Sequence, residues 1–159
     1  FSEILYHVEK PKVAAYQVDG GDDIVIDASA TSTDVVAQAP TEDPIQVLLA
    51  GADLDKGKKV FKKCSQCHVM EKGGANKIGP ALWDIVNKDI GSKDDYKYSS
   101  AMANFEGDWT YEQLNSYLIN PKKYIKGTKM SFVGLKKAKD RANVILYLRS
   151  FSDNPAPIE

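Results

Sequence analysis

The chain has 159 residues, 43% of them hydrophobic and 27% charged, an ordinary balance for a soluble domain with one sizeable core and room for a tail. Its formal net charge of −1 conceals a division: residues 1–50 carry two lysines against nine acids, net −7, and residues 51–159 carry nineteen Lys and Arg against thirteen acids, net +6. No apolar run approaches the ~18–20 residues of a membrane span, no signal-peptide core is recognisable, and two cysteines are too few for a four-thiolate zinc site or a disulfide framework.

Phe1 stands where an initiator Met would, so the chain is expected to be processed, with any targeting segment or anchor upstream. Residues 1–18 mix apolar and charged residues without a clean period. Residues 19–44 are rich in Asp, Ala, Ser, Thr, Gly and Pro and contain no aromatic residue, Lys or Arg. That is the composition of an acidic, self-repelling linker, so residues 1–50 are expected to form a largely flexible extension. Asp53 or Asp55 can cap a helix running to about Lys63, with Val60 and Phe61 apolar. Gly57 inside that helix costs ~1 kcal/mol relative to Ala, which a close crossing with another helix would explain.

Residues 69–98 are rich in Gly, Lys and Asp and read as loop, with a turn at Ile78-Gly79-Pro80. Ser99–Asn104 can form a brief helix. Thr110 and Gln113 have capping-box spacing, and Leu114, Tyr117 and Leu118 fall on one helical face. Asn120-Pro121 ends that helix, with one more turn possible over Pro121–Tyr124. The last helix spans about Lys137–Ser150, its apolar face made by Ala138, Ala142, Ile145 and Leu148, and residues 153–159 read as a frayed tail. No alternating strand pattern occurs in residues 51–159. The predicted domain, residues 51–152, is therefore all-α with three main helices and long loops. Loops that long need something to wrap around, and a large flat apolar cofactor would supply it.

Cys64-Ser65-Gln66-Cys67-His68 has the C-x-x-C-H spacing of c-type haem attachment. Two thiols three residues apart can reach the two vinyl groups on one haem edge, and the adjacent His then comes under the iron. Other uses of the pair exist. A thioredoxin-like redox motif would need a βαβ context, zinc would need two further ligands although the only other His is His7, and a plain disulfide is chemically allowed. A sixth iron ligand would come from one of three methionines. Met70 is too close to His68 to reach the other haem face. Met102 is a candidate. Met130 lies in a polar loop, Gly127-Thr128-Lys129-Met130-Ser131-Phe132, where a core-filling role suits it poorly.

The ordered set Gly57 and Phe61, Cys64–His68, Glu71-Lys72-Gly73-Gly74, Gly79-Pro80, Tyr98, Trp109, Tyr117, Asn120-Pro121-Lys122-Lys123-Tyr124, Gly127–Met130, Phe132 and Val144–Leu148 resembles the class I cytochromes c, mitochondrial and bacterial c2-like. The resemblance covers roughly residues 51–151. It implies the cytochrome c fold and one covalent haem c, joined through Cys64 and Cys67, with His68 and Met130 as iron ligands. It further implies that the Pro80 carbonyl orients His68, that Tyr98 and Trp109 face a haem propionate, that Tyr117 lies near the Met130 sulfur, and that Phe132 belongs to the haem environment. Gly57 marks the crossing of the first and last helices, with Phe61 and Tyr147 as packing residues. Three positions depart from the family pattern: Lys88 for an arginine near a propionate, Met102 for a polar residue, and Lys126 for a proline.

With both axial positions filled, the resemblance implies a one-electron carrier and not an enzyme. Its donor would be a cytochrome bc-type complex and its acceptor a terminal oxidase or reaction centre. A haem sensor or peroxidase-like protein with a labile methionine is the alternative. Lys63, Lys77, Lys122, Lys123, Lys129, Lys136 and Lys137 would ring the haem edge and steer docking onto acidic partners. Nucleic acid is not an expected partner. The acidic leader resembles the linker of membrane-anchored bacterial cytochromes c, which implies the periplasmic side of an inner membrane and an anchor upstream.

Overall fold

The computed structural model of the chain describes residues 43–158. The predicted linker up to residue 42, with its apolar run Ile24-Val25-Ile26, lies outside the described residues, as does Glu159. Six helices follow in order: α1 (Ile45–Ala50), α2 (Leu54–Phe61), α3 (Ser100–Ala103), α4 (Tyr111–Ile119), α5 (Pro121–Tyr124) and α6 (Ala138–Arg149). Among the described residues there is no strand, only an isolated bridge between Asp89 and Asp108. The domain is all-α, as the sequence predicts.

Local chemistry explains where the helices start. The Asp53 carboxylate accepts the Lys56 N–H at 2.8 Å and opens α2. The Asp53 N–H itself donates to Asn143 Oδ1 at 2.9 Å, which ties the start of α2 to α6. Thr110 Oγ1 accepts the Gln113 N–H at 3.2 Å and opens α4. The reciprocal half of the predicted capping box is not made. Gln113 instead accepts from the Tyr124 hydroxyl, fastening α4 to α5. Pro121 takes the first position of α5, where its missing N–H has no cost, and Asn120 caps that turn through the Lys123 N–H.

The core is organised on the crossing of α2 and α6. A Cβ added at Gly57 would lie 2.2 Å from the Asn143 carbonyl oxygen and 2.7 Å from the Tyr147 Cβ, so only glycine lets the helices approach this closely. The Phe61 and Tyr147 rings pack beside the crossing with centroids 5.5 Å apart. Val144 and Ile145 of α6 are fully buried. So is Arg141, whose guanidinium meets Asn115, Leu135 and Lys136.

Two boundaries differ from the sequence reading. α1 falls inside the expected flexible extension, yet Ile45 and Leu49 are buried, and the helix packs on α6 and α4. Residues 45–50 therefore belong to the packed domain, ahead of the boundary expected at residue 51. The expected frayed tail is also held: the Ala156 carbonyl accepts from the Tyr111 hydroxyl at 2.9 Å and from Arg149 Nε at 2.5 Å, and Ala156 and Ile158 pack on the core. Each of these segments gains its structure from distant residues.

Because the methyl of an alanine at residue 57 meets backbone and not a movable side chain, Gly57→Ala is expected to destabilise the folded protein by about 3 kcal/mol, read by guanidinium unfolding. An unchanged midpoint would contradict the close crossing.

Candidate functional site

α2 continues past Phe61 as a series of turns. The Cys64 and Ser65 N–H groups return to the Phe61 carbonyl, and the Cys67 and His68 N–H groups return to the Cys64 carbonyl. This coil carries Cys64, Cys67 and His68 to one cavity of about 450 Å³. Both thiols are free of a disulfide. Burial, followed by the neighbouring Cys67, pushes the Cys64 thiol up to about 11 from an ordinary 9.0.

His68 has a determined tautomer. Its Nδ1 lies 2.7 Å from the Pro80 carbonyl oxygen, which can only accept, so Nδ1 carries the proton and Nε2 keeps its lone pair. Burial lowers the His68 pKa against the opposing pull of the Pro80 carbonyl, which favours the neutral, metal-binding form of the ring. Gly79 lies flat against the ring: a Cβ there would sit 2.3 Å from His68 Cε1. The Gly79 N–H donates to the Cys67 carbonyl at 2.9 Å, which locks the loop to the thiol motif.

The loop between α5 and α6 brings Met130 to the same cavity. The Tyr117 hydroxyl is 3.3 Å from Met130 Sδ and 3.2 Å from Thr128 Oγ1, and Thr128 Oγ1 accepts the Met130 N–H at 3.3 Å. Gly127, with φ +95°, makes the turn that admits this arrangement. Trp109 packs on Tyr117 with ring centroids 4.9 Å apart, and Phe61, Leu82, Leu114, Leu118, Val144 and Leu148 supply apolar lining.

Every site residue named from the sequence lines this one cavity: Cys64, Cys67, His68, Pro80, Tyr98, Trp109, Tyr117, Met130 and Phe132. Met102, the other methionine candidate, lines it as well, whereas Met70 is buried outside it. Of the lysines, Lys63 and Lys129 lie at the cavity. Lys122, Lys123, Lys136 and Lys137 are exposed, and Lys77 donates to the Ser65 carbonyl at 3.1 Å. Lys88 is not among the lining residues and pairs with Asp84 at 3.0 Å.

The sequence reading missed Thr128, which joins Tyr117 to the Met130 backbone, and Tyr96, whose hydroxyl holds the Ile78 carbonyl at 2.6 Å. It also missed the exposed pair at the mouth, Ile78 and Val133, which are 78% and 85% exposed. Their signal, an apolar residue in a polar loop, is weak on its own. A second cleft of about 370 Å³ between residues 84–88 and 148–157 is more polar and contains none of the Cys64–His68 or Gly127–Met130 residues.

A largely apolar cavity with two unpaired thiols, a neutral histidine and a thioether sulfur fits a covalently attached haem. Gly79→Ala is expected to push the imidazole off the Pro80 carbonyl and to destabilise the protein by about 1–3 kcal/mol, read by chemical unfolding.

The family model for cytochrome c matches residues 54–152. The chain is 42% identical over 123 residues to a cytochrome c homolog of Bradyrhizobium diazoefficiens, covering 77% of this chain and 67% of that protein. It is 39% identical over 151 residues to a cytochrome c homolog of Rickettsia bellii, covering 94% and 83%. It is 51% identical over 102 residues to a cytochrome c of Gibberella zeae, covering 64% and 96%. A match that runs from the start of α2 to beyond α6 places the chain in the cytochrome c family, whose members carry electrons on a covalently bound haem c.

Proposed function

We propose that this protein carries electrons one at a time in a respiratory or photosynthetic chain, from a cytochrome bc-type complex to a terminal oxidase or reaction centre. In this reading Cys64 and Cys67 form the thioether bonds to the haem, and His68 and Met130 bind its iron. One observation carries the assignment. A single cavity is lined by a histidine whose Nδ1 proton is committed to Pro80 and by a methionine sulfur held by the Tyr117 hydroxyl.

The haem iron supplies the one-electron couple, and its ligands and surroundings set the potential. Pro80 orients His68 and keeps its free lone pair on Nε2. Tyr117 draws electron density from the Met130 sulfur, which favours the reduced state. The apolar lining works in the same direction by disfavouring additional charge. With His68 and Met130 holding it, a bound haem would have both of its ligands supplied by the protein, which suits electron carriage over substrate binding.

Exposed Ile78 and Val133 offer a small apolar contact at the mouth, with Lys63 and Lys129 beside it. Together with the excess of basic residues in 51–159, this supports brief, salt-sensitive docking on acidic redox partners. Tyr98 and Trp109 are the residues we assign to a haem propionate. The same reading sets the protein at the periplasmic side of a bacterial inner membrane, tethered through its acidic leader. Its support is the leader's composition. Among the described residues no helix is long and apolar enough to cross a membrane.

Reduced wild-type protein is expected not to bind carbon monoxide at neutral pH, and reduced Met130→Ala to bind it fully, both followed in the haem absorption spectrum. Carbon monoxide binding by the wild type would contradict Met130 ligation. Reduction by a solubilised bc-type complex is expected to slow as salt rises, and the double change Lys63→Glu, Lys129→Glu to slow it about tenfold at low salt. A salt-independent rate would remove the lysine rim from the account.

A further inference from the structure

The most deeply buried charge among the described residues lies outside the lining of the cavity. Arg141, on α6, is 1% exposed. Its Nε donates to Asn115 Oδ1 of α4 at 2.7 Å. Its Nη1 donates to the Leu135 carbonyl at 2.8 Å and to the Lys136 carbonyl at 2.9 Å. Burying a guanidinium is costly unless its protons are accepted, and here each of these acceptors belongs to α4 or to the chain that leaves the Met130 loop.

That stretch of chain is held by α4 from another side. The Leu135 N–H donates to the Leu118 carbonyl at 2.7 Å. Gly134 has φ +98°, and a Cβ there would lie 2.0 Å from the Ile119 carbonyl oxygen, so the backbone of the loop lies directly on the end of α4. The preceding part of the loop meets the same helix through Tyr117, which contacts Thr128 and Met130. Both legs of the Met130 loop therefore rest on α4, and Arg141 links the second leg, α4 and α6 through one planar group.

We infer that Arg141 is a positioning residue for Met130: by fixing residues 134–136 against α4 it keeps the loop closed and so sets how often the sulfur leaves the iron. The inference rests on Met130 ligation. In a closed–open equilibrium an added ligand reaches the iron only in the open fraction, and its apparent affinity measures that fraction. A lysine in place of Arg141 keeps the charge but loses the fork that reaches several oxygens at once.

The test uses imidazole as the probe, titrated into the oxidised, haem-loaded full chain. Arg141→Lys is expected to bind it about tenfold more tightly than the wild type, and Asn115→Ala to move the same way by a smaller factor. Ile145→Val, a fully buried change on the same helix, serves as the control for general destabilisation and should bind imidazole as the wild type does. If Arg141→Lys does not load haem, Asn115→Ala carries the test alone. Unchanged imidazole affinity in the Arg141 and Asn115 variants, with stability lowered as in Ile145→Val, would overturn the inference and leave Arg141 a core residue only. Wild-type protein that binds imidazole as tightly as Met130→Ala would overturn the ligation reading itself, a result separable from the first by the wild type alone.

Discussion

His68 gives its Nδ1 proton to the Pro80 carbonyl across 2.7 Å, and much of the site depends on the backbone that holds that carbonyl in place. The loop responsible is rich in lysine and glycine and contains no helix. It is fixed instead by separate hydrogen bonds. Gly79 binds the Cys67 carbonyl, Tyr96 binds the Ile78 carbonyl, Lys77 binds the Ser65 carbonyl, and the Asn76 side chain accepts from the Ala81 N–H. Gly79 must lack a side chain because the imidazole occupies that space. The result is a neutral imidazole with one determined lone pair, next to two thiols presented by the end of α2.

The other iron ligand in this account depends on α4. That helix sends Tyr117 to the Met130 sulfur, contributes Leu114 and Leu118 to the apolar lining, and offers the Leu118 carbonyl to the chain returning toward α6. α6, which follows the Met130 loop, in turn crosses α2, which leads into the turns carrying His68, at Gly57. Electron transfer benefits from such construction, because a site that changes little between oxidation states has little to reorganise. The exposed Ile78 and Val133 then leave an apolar contact at the cavity mouth, with lysine charge close by.

The site was largely legible in the sequence because covalent attachment demands contiguous chemistry: two thiols and a histidine within five residues can be read without a fold. α2, α4 and α6 were legible from caps and periodicity, and Gly57 from its cost inside a helix. α1 was not. Six residues are too short to be helical alone, and Ile45 and Leu49 are ordered by contact with α4 and α6 at the end of an acidic stretch. The order of the tail is not legible for a similar reason, since its prolines are visible in the sequence while the Tyr111 and Arg149 donors that hold Ala156 lie elsewhere in the chain. Lys88 stands where the family usually carries an arginine near a propionate; in the structure it pairs with Asp84, four residues before it, and does not line the cavity. Thr128 is visible in the sequence only as part of the Gly127–Met130 segment, because its role depends on Tyr117 approaching from another helix.

The central claim is that the iron lies between an imidazole nitrogen and the Met130 sulfur. X-ray absorption at the iron edge of the haem-loaded protein, in both oxidation states, tests it most directly. The account predicts a sulfur scatterer in the first coordination shell of the wild type that is absent from Met130→Ala. A shell of nitrogen and oxygen alone in the wild type, or a sulfur that persists in Met130→Ala, would contradict it; the latter would make Met102, the other methionine lining the cavity, the candidate ligand.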